Sequence, residues 1–89
     1  MMKKYKINKG FIIQKLDGKT TIFDGEESLL YTFNETASFI FDKIKLGWNE
    51  TKIATVLGKK FQVDLETTNR DISGLVKELI KKKIISSSS

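Results

Sequence analysis

The stretch that decides the fold is Ser28-Leu29-Leu30-Tyr31-Thr32-Phe33-Asn34-Glu35-Thr36-Ala37. Leu29, Leu30, Tyr31 and Phe33 are large apolar or aromatic side chains, which suit a pleated, half-buried strand. Asn34 then reads as a helix N-cap. Its side chain can accept a hydrogen bond from a free N–H of the first turn, and Glu35 sets a negative charge at the positive end of the helix dipole. A strand therefore runs straight into a helix. The residues before this junction read as strands and those after it as helices.

Toward the N-terminus, residues 10–16 form a strand in which Phe11-Ile12-Ile13 precedes the alternation Gln14-Lys15-Leu16. Asp17-Gly18 is a hairpin signal, because both residue types tolerate the positive φ of a type I′ turn. Residues 19–24 return as a second strand built on Thr20, Thr21, Ile22 and Phe23, and Asp24-Gly25-Glu26-Glu27 turns the chain into the third strand, residues 28–33. Three strands joined by short turns predict an antiparallel meander. Residues 1–9 carry Lys3, Lys4, Lys6 and Lys9 around Tyr5 and Ile7. They read as a basic arm or a weak extra strand, with a frayed terminus preferred.

Toward the C-terminus, the first helix is expected over 35–46, with Ala37, Phe39, Ile40, Phe41 and Ile44 at helical spacing on its apolar face. Gly47 stops it, and Trp48 falls half-buried in the turn. Asn49 caps a second helix over 50–60 that buries Ile53, Ala54, Val56 and Leu57, with Phe61 closing its end. Gly58 inside it costs roughly 1 kcal/mol relative to Ala and marks a candidate early stop. Asp64 or Thr67 caps a third helix reaching about residue 82. Its stripe of Leu65, Ile72, Leu75, Val76, Leu79 and Ile80 is roughly 140° wide at ~100° per residue. Glu66 and Asp71 lie in its first half, and Lys77, Lys81, Lys82 and Lys83 in or just past its second, which matches the dipole. Ile84-Ile85 is expected to tuck back onto the core, and Ser86 to begin a disordered tail. The fold class is α+β, winged-helix-like, with a three-stranded antiparallel sheet followed by three helices. One domain spans 10–85, between a basic arm at 1–9 and a Ser tail at 86–89.

Composition narrows the chemistry. The 89 residues contain no Cys, His or Pro. That removes disulfides, thiolate metal sites, and the commonest general base near neutral pH. No Gly-rich phosphate loop and no paired nucleophile and base are present, so no catalytic residue, metal ligand or cofactor-binding residue is expected, and the chain reads as a non-enzyme. No run approaches the ~18–20 apolar residues of a membrane span, so no membrane partner is expected and the location is read as cytoplasmic. Sixteen cations against eleven acids give a net charge of +5, and fifteen of the sixteen are Lys. A specific phosphate or base reader more often uses Arg, whose planar fork makes bidentate contacts. The Lys excess reads as a solvated surface.

Two binding functions compete. Residues 50–58 resemble the first helix of a helix-turn-helix, which would make the next helix a DNA recognition helix. Against this, the connection from Gly58 to Asp64 is longer than the tight turn of that motif, and residues 64–71 carry three acids and one Arg, which phosphates would repel. Peptide binding fits better. The third strand is expected at a sheet edge, where unpaired N–H and C=O groups can receive an extended guest. Alternation sends Leu29, Tyr31 and Phe33 to one face and Leu30 and Thr32 to the other.

A run of features completes the picture: Asp24-Gly25, then Phe33-Asn34-Glu35-Thr36-Ala37, then Trp48-Asn49 through Leu57, then Asp71-Ile72, Leu75-Val76, Leu79 and Ile84-Ile85. In this order and spacing they resemble the small pyrroloquinoline-quinone D-type (PqqD-like) proteins. These are also called recognition elements for the precursors of ribosomally synthesised, post-translationally modified peptides (RiPPs). The resemblance covers residues 10–85. It implies a winged-helix-like fold that binds the leader of a precursor peptide as a strand added beside the third strand, in the cleft against the third helix. Carried onto this chain, it implies Leu29, Leu30, Tyr31 and Thr32 on the strand side, with Asp71, Leu75 and Glu78 as an acidic helix-side rim. Ile72, Val76 and Leu79 are then core. The implied partners are the precursor leader peptide and a modifying enzyme (a radical enzyme, protease or cyclase), with the chain a monomer or weak dimer. Phe33 stands where the family commonly has Leu, and the basic arm is longer than usual.

Overall fold

The computed structural model of the chain describes residues 4–87. Its elements run β1 (Tyr5–Ile7), β2 (Phe11–Leu16), β3 (Lys19–Asp24), β4 (Leu29–Thr32), α1 (Glu35–Lys45), α2 (Glu50–Phe61), α3 (Leu65–Lys81) and β5 (Ile85–Ser87). β2, β3 and β4 form the expected antiparallel meander in that spatial order. Asp17 and Gly18 take φ of 52° and 77°, the positive values that a two-residue hairpin turn requires. The three strands followed by three helices make an α+β fold whose likeness to a winged helix is loose.

The chain ends add a second sheet. Tyr5, Lys6 and Ile7 pair antiparallel with Ser87, Ser86 and Ile85. Residues 5–7, for which a frayed terminus was preferred, are thus a strand, and Ser86 and Ser87, expected in a disordered tail, are its partners. Residues 88–89 and 1–3 lie outside the described residues. The physical reason is burial. Ile84 and Ile85 are fully buried and bring the following serines alongside β1, whose Tyr5 is itself a core residue. The Tyr5 hydroxyl donates to Glu50 Oε2 at 2.7 Å, so the ring is buried with its polar end satisfied. Asn8 adds two ties, its backbone N–H to Ile84 O at 2.8 Å and its side-chain amide to Lys83 O at 2.8 Å.

Each helix begins at an Asn or Asp cap. Asn34, Asn49 and Asp64 accept from the N–H groups of Ala37, Lys52 and Thr67. The core is Ile22 of β3 with Ile40, Phe41 and Ile44 of α1, Ile53, Ala54 and Leu57 of α2, Ile72, Val76 and Leu79 of α3, and the chain-end residues Tyr5, Ile84 and Ile85. Phe33 packs edge-to-face on Phe41, with ring centroids 5.7 Å apart. The apolar stripe on α3 is narrower than its sequence suggests, because Leu65 and Ile80 are exposed while Thr68 is buried. Ser38 is buried as well. Its hydroxyl accepts the Thr20 N–H at 2.8 Å, which ties α1 to the end of the meander.

Gly58 does not stop α2. The helix continues to Phe61, where Gln62 takes a left-handed conformation (φ 54°) and its N–H returns to Gly58 O. Val63 N–H also donates to Gly58 O at 3.0 Å. A Cβ on Gly58 would sit 3.1 Å from Val63 O. The glycine therefore serves the close return of the chain onto the helix.

Candidate peptide-binding edge and groove

β4 is an edge strand: among the described residues it is bonded to β3 and to no other strand. Its register pairs Leu29 with Asp24, Leu30 with Phe23, Tyr31 with Ile22 and Thr32 with Thr21. Because Ile22 is buried in the core, Tyr31 and Leu29 lie on the helix side of the sheet, and Leu30 and Thr32 on its outer side. The hydrogen-bond pattern follows from one further contact. Phe33 N–H donates to Thr20 O at 2.9 Å. In an antiparallel ladder the residues that bond a given neighbour alternate. Phe33, Tyr31 and Leu29 therefore direct their backbone groups at β3, and Leu30 and Thr32 direct theirs outward, to the open edge.

A groove separates this edge from α3. Among the described residues no Cα of β4 comes within 8 Å of a Cα of α3. The two elements are bridged at one end, where Lys82 Nζ sits 5.5 Å from the Tyr31 ring centroid. A hollow of about 490 Å³ opens there, with Tyr31, Phe11 and Asp24 on the sheet side and Lys81, Lys82 and Lys83 at the end of α3. Toward the start of α3, Asp71 and Leu75 face Asn34, Thr36, Ala37 and Ile40 across a second hollow of about 300 Å³.

The residues singled out in the sequence are therefore divided among four places. Asp71 and Leu75 share the groove with the start of α1. Tyr31 and Leu29 lie on the helix-side face of β4, while Leu30 and Thr32 supply the outward backbone groups and point their side chains away from α3. Glu78 is exposed and engaged: Lys82 Nζ approaches its Oε2 at 2.5 Å, and this hydrogen bond, with the Lys82 and Lys81 charges, holds its carboxyl below the usual carboxylate range. Its charge is neutralised locally, so the acidity of the helix-side rim rests on Asp71. Lys82 was not found from the sequence as a groove residue. Its one signal is the Glu78-to-Lys82 spacing of four. Asn34 and Thr36 were read only as helix-start residues, and nothing in their sequence context distinguishes a cap that also lines a groove.

The helix-turn-helix reading needs one correction. The connection between α2 and α3 is only Gln62, Val63 and Asp64, so its length does not oppose that motif. The charges do. The Asp64 carboxylate accepts from Thr67 N–H, which holds it below the usual range, and Glu66 pairs with Arg70, the sole arginine, at 3.4 Å. The start of α3 thus presents acids, with its one guanidinium already engaged. Among the described residues no group of three or more acids is placed to hold a metal ion, and no helix is long and apolar enough to cross a membrane.

Residues 20–85 match the family described as coenzyme PQQ synthesis protein D (PqqD). Two solved structures share the fold. One, described as lasso peptide synthetase B1 complexed with the leader peptide, superposes with a TM-score of 0.86 at 20% identity over 93% of this chain and 98% of that chain. The other, described as TbiB1 in complex with the TbiA(beta) leader peptide, superposes with a TM-score of 0.84 at 17% identity over 94% of this chain and 98% of that one. No curated protein matches the chain.

Proposed function

The chain belongs to the PqqD family, and from that premise we propose that it is a non-catalytic adaptor. It binds the leader segment of a ribosomally synthesised precursor peptide by strand addition to β4, and delivers the attached core peptide to a modifying enzyme. The observation that carries this reading is the open edge of β4 beside a groove: Leu30 and Thr32 offer outward N–H and C=O groups, and among the described residues no Cα of α3 lies within 8 Å of a Cα of β4. Strand addition draws affinity from main-chain hydrogen bonds and selectivity from alternate side chains. The guest side chains that face the helices meet Tyr31 at one end of the groove and Asp71 with Leu75 at the other. That the two superposed structures hold leader peptides supports the same reading.

The adaptor performs no chemistry on this reading. Holding the leader makes the encounter of core peptide and enzyme intramolecular and raises their effective concentration. A guest pairing over ~5–6 residues with one or two anchors is expected to bind with roughly micromolar affinity or better. The test is titration of the isotope-labelled protein with the leader of a precursor encoded beside it. Amide shifts concentrated in residues 28–34 and 68–79 are expected, and their absence would overturn the assignment.

A further inference from the structure

A second surface lies on α1, α2 and the turn between them, and none of its residues lines either hollow of the groove. Lys52 Nζ sits 4.2 Å from the Trp48 ring centroid, and Lys43 Nζ 4.9 Å from it. Lys43 Nζ is also 5.0 Å from the Phe39 centroid, and Lys60 Nζ lies 5.7 Å from Phe39 and 5.8 Å from Phe61. The Phe39 and Phe61 rings meet edge to face at 6.2 Å. Cations and rings therefore alternate in one strip from Lys52 to Phe61. These two residues are about 14 Å apart along α2, the span of about four extended residues. Each ammonium group is held over the negative face of a ring. Among the described residues none of the three lysines pairs with a carboxylate, unlike Lys15, Arg70 and Lys82. The strip is a positioned row of positive charge without a counter-charge.

We infer that this strip holds an acidic stretch of the precursor peptide, next in sequence to the segment seated in the groove. The inference rests on the adaptor reading above. Continuity and charge select the occupant. Thr36 lines the hollow at the Asp71 end of the groove. Thr36, Phe39 and Lys43 follow one another at spacings of three and four, so they share one side of α1. Thr36 and Lys43 are about 10 Å apart along the helix, so a chain leaving the groove at that end meets the strip within about three residues. The cations there are complementary to carboxylates. Single-stranded nucleic acid would stack its bases on open ring faces, whereas these rings are half-buried and topped by ammonium groups. Glu35 and Asp42 border the strip on the other flank of Phe39, around a hollow of about 190 Å³, and Lys15 engages Asp42. The precursor that fits carries a neutral or basic residue opposite Asp71 and acids beside it in sequence.

The experiment uses the full chain and the full-length precursor encoded beside it. Affinity is measured by calorimetry at about 50 mM salt, where exposed charges are weakly screened. Trp48, the sole tryptophan, reports on the strip by its fluorescence. Lys43→Gln with Lys52→Gln is expected to weaken precursor binding about fivefold, the effect of losing two exposed ion pairs, and to abolish the response of Trp48 to the precursor. Lys52→Gln alone, at an exposed position and with a good helix former, guards against misfolding and is expected to cost about twofold. Lys19→Gln with Lys77→Gln removes the same charge from exposed sites elsewhere, and affinity is expected to stay within about twofold. A precursor whose acids beside the leader are changed to Asn and Gln is expected to bind about fivefold more weakly and to be indifferent to the Lys43 and Lys52 changes. Wild-type precursor affinity in Lys43→Gln with Lys52→Gln overturns the inference and leaves the adaptor reading intact. Equal losses in the two double variants show diffuse attraction and also overturn it. A short single-stranded oligonucleotide or a phosphatidylglycerol vesicle that shifts Trp48 emission at lower concentration than the precursor assigns the strip to phosphates and overturns it too. Failure of the precursor to bind the wild-type chain overturns the adaptor reading itself.

Discussion

β1 and β4 are both short strands rich in large side chains, yet they end in opposite states. β1 is covered: Tyr5 is buried against Glu50, and its partner strand β5 contributes the fully buried Ile85. β4 has one neighbour and leaves Leu29 and Leu30 exposed. Apolar content does not separate the two. Each has a single strand neighbour among the described residues, and what separates them is what their side chains meet. The β1–β5 pair is laid against the core, with Tyr5 and Ile85 inside it and β1 beside α1. β4 borders the groove that, on the proposed reading, the leader fills. An exposed apolar edge is an aggregation hazard that proteins usually blunt, and its presence here supports the proposed pairing with a guest strand.

The largest test of this contrast is stability. Ile85→Ala is expected to lower the unfolding free energy by about 2–5 kcal/mol, and Leu30→Ala by under ~0.5 kcal/mol, read from urea denaturation. Equal losses would show that β4 is as much part of the core as β5. Next comes Tyr5→Phe, which strands the Glu50 carboxylate and is expected to cost about 1.5 kcal/mol. It also carries a pH signature. Burial first, then the hydrogen bond to Glu50 and its charge, push the Tyr5 hydroxyl from 10.0 up to about 12. The folded state holds this proton more tightly, so the stabilisation is complete below pH 10.0 and is lost as pH rises toward 12. The wild-type urea midpoint should therefore fall toward that of Tyr5→Phe across this window, and parallel curves would refute the assignment.

At the open edge the readout is binding. Thr32→Pro removes one outward N–H without removing a bond to β3. Leader affinity should fall about tenfold, or ~1.4 kcal/mol, with the thermal midpoint nearly unchanged. A guest bound as tightly as before would place it elsewhere. The smallest effect is that of Leu30→Lys, which keeps the backbone groups and changes only the outer-face neighbour of the guest. A loss of up to ~fivefold is expected by calorimetry.

The sequence showed the meander, the caps at Asn34 and Asn49, the third cap as either Asp64 or Thr67, and most of the core because those features are local. Asp17-Gly18 marks its own turn, Asn34 and Asn49 mark their own helices, and the spacing of Ile40, Phe41 and Ile44 marks a buried face. It did not show the β1–β5 pairing, which joins residues at opposite ends of the chain and leaves no local trace in Lys-rich and Ser-rich segments. The extent of α2 is legible to within a residue, and only the candidate early stop at Gly58 fails, because a glycine that admits a close backbone return looks, in sequence, like one that ends a helix. The site was legible in part. Period-two alternation placed Tyr31 and Leu30 on opposite faces, but which face the helices would cover depended on the register with Ile22. The neutralising of Glu78 depended on where the Lys82 side chain came to rest.

The β1–β5 pairing has a topological consequence. Tyr5 and Ser87 are direct strand partners, so the two ends of the described chain lie about 5 Å apart. A few added residues could join them into a covalent ring. New ends could then be opened in the exposed Asp17-Gly18 turn, on a segment that belongs to neither the groove nor β4. Such a circular permutant should keep its peptide affinity and move every attachment point to the far tip of the meander. A label, a surface or a second domain could then be tethered there.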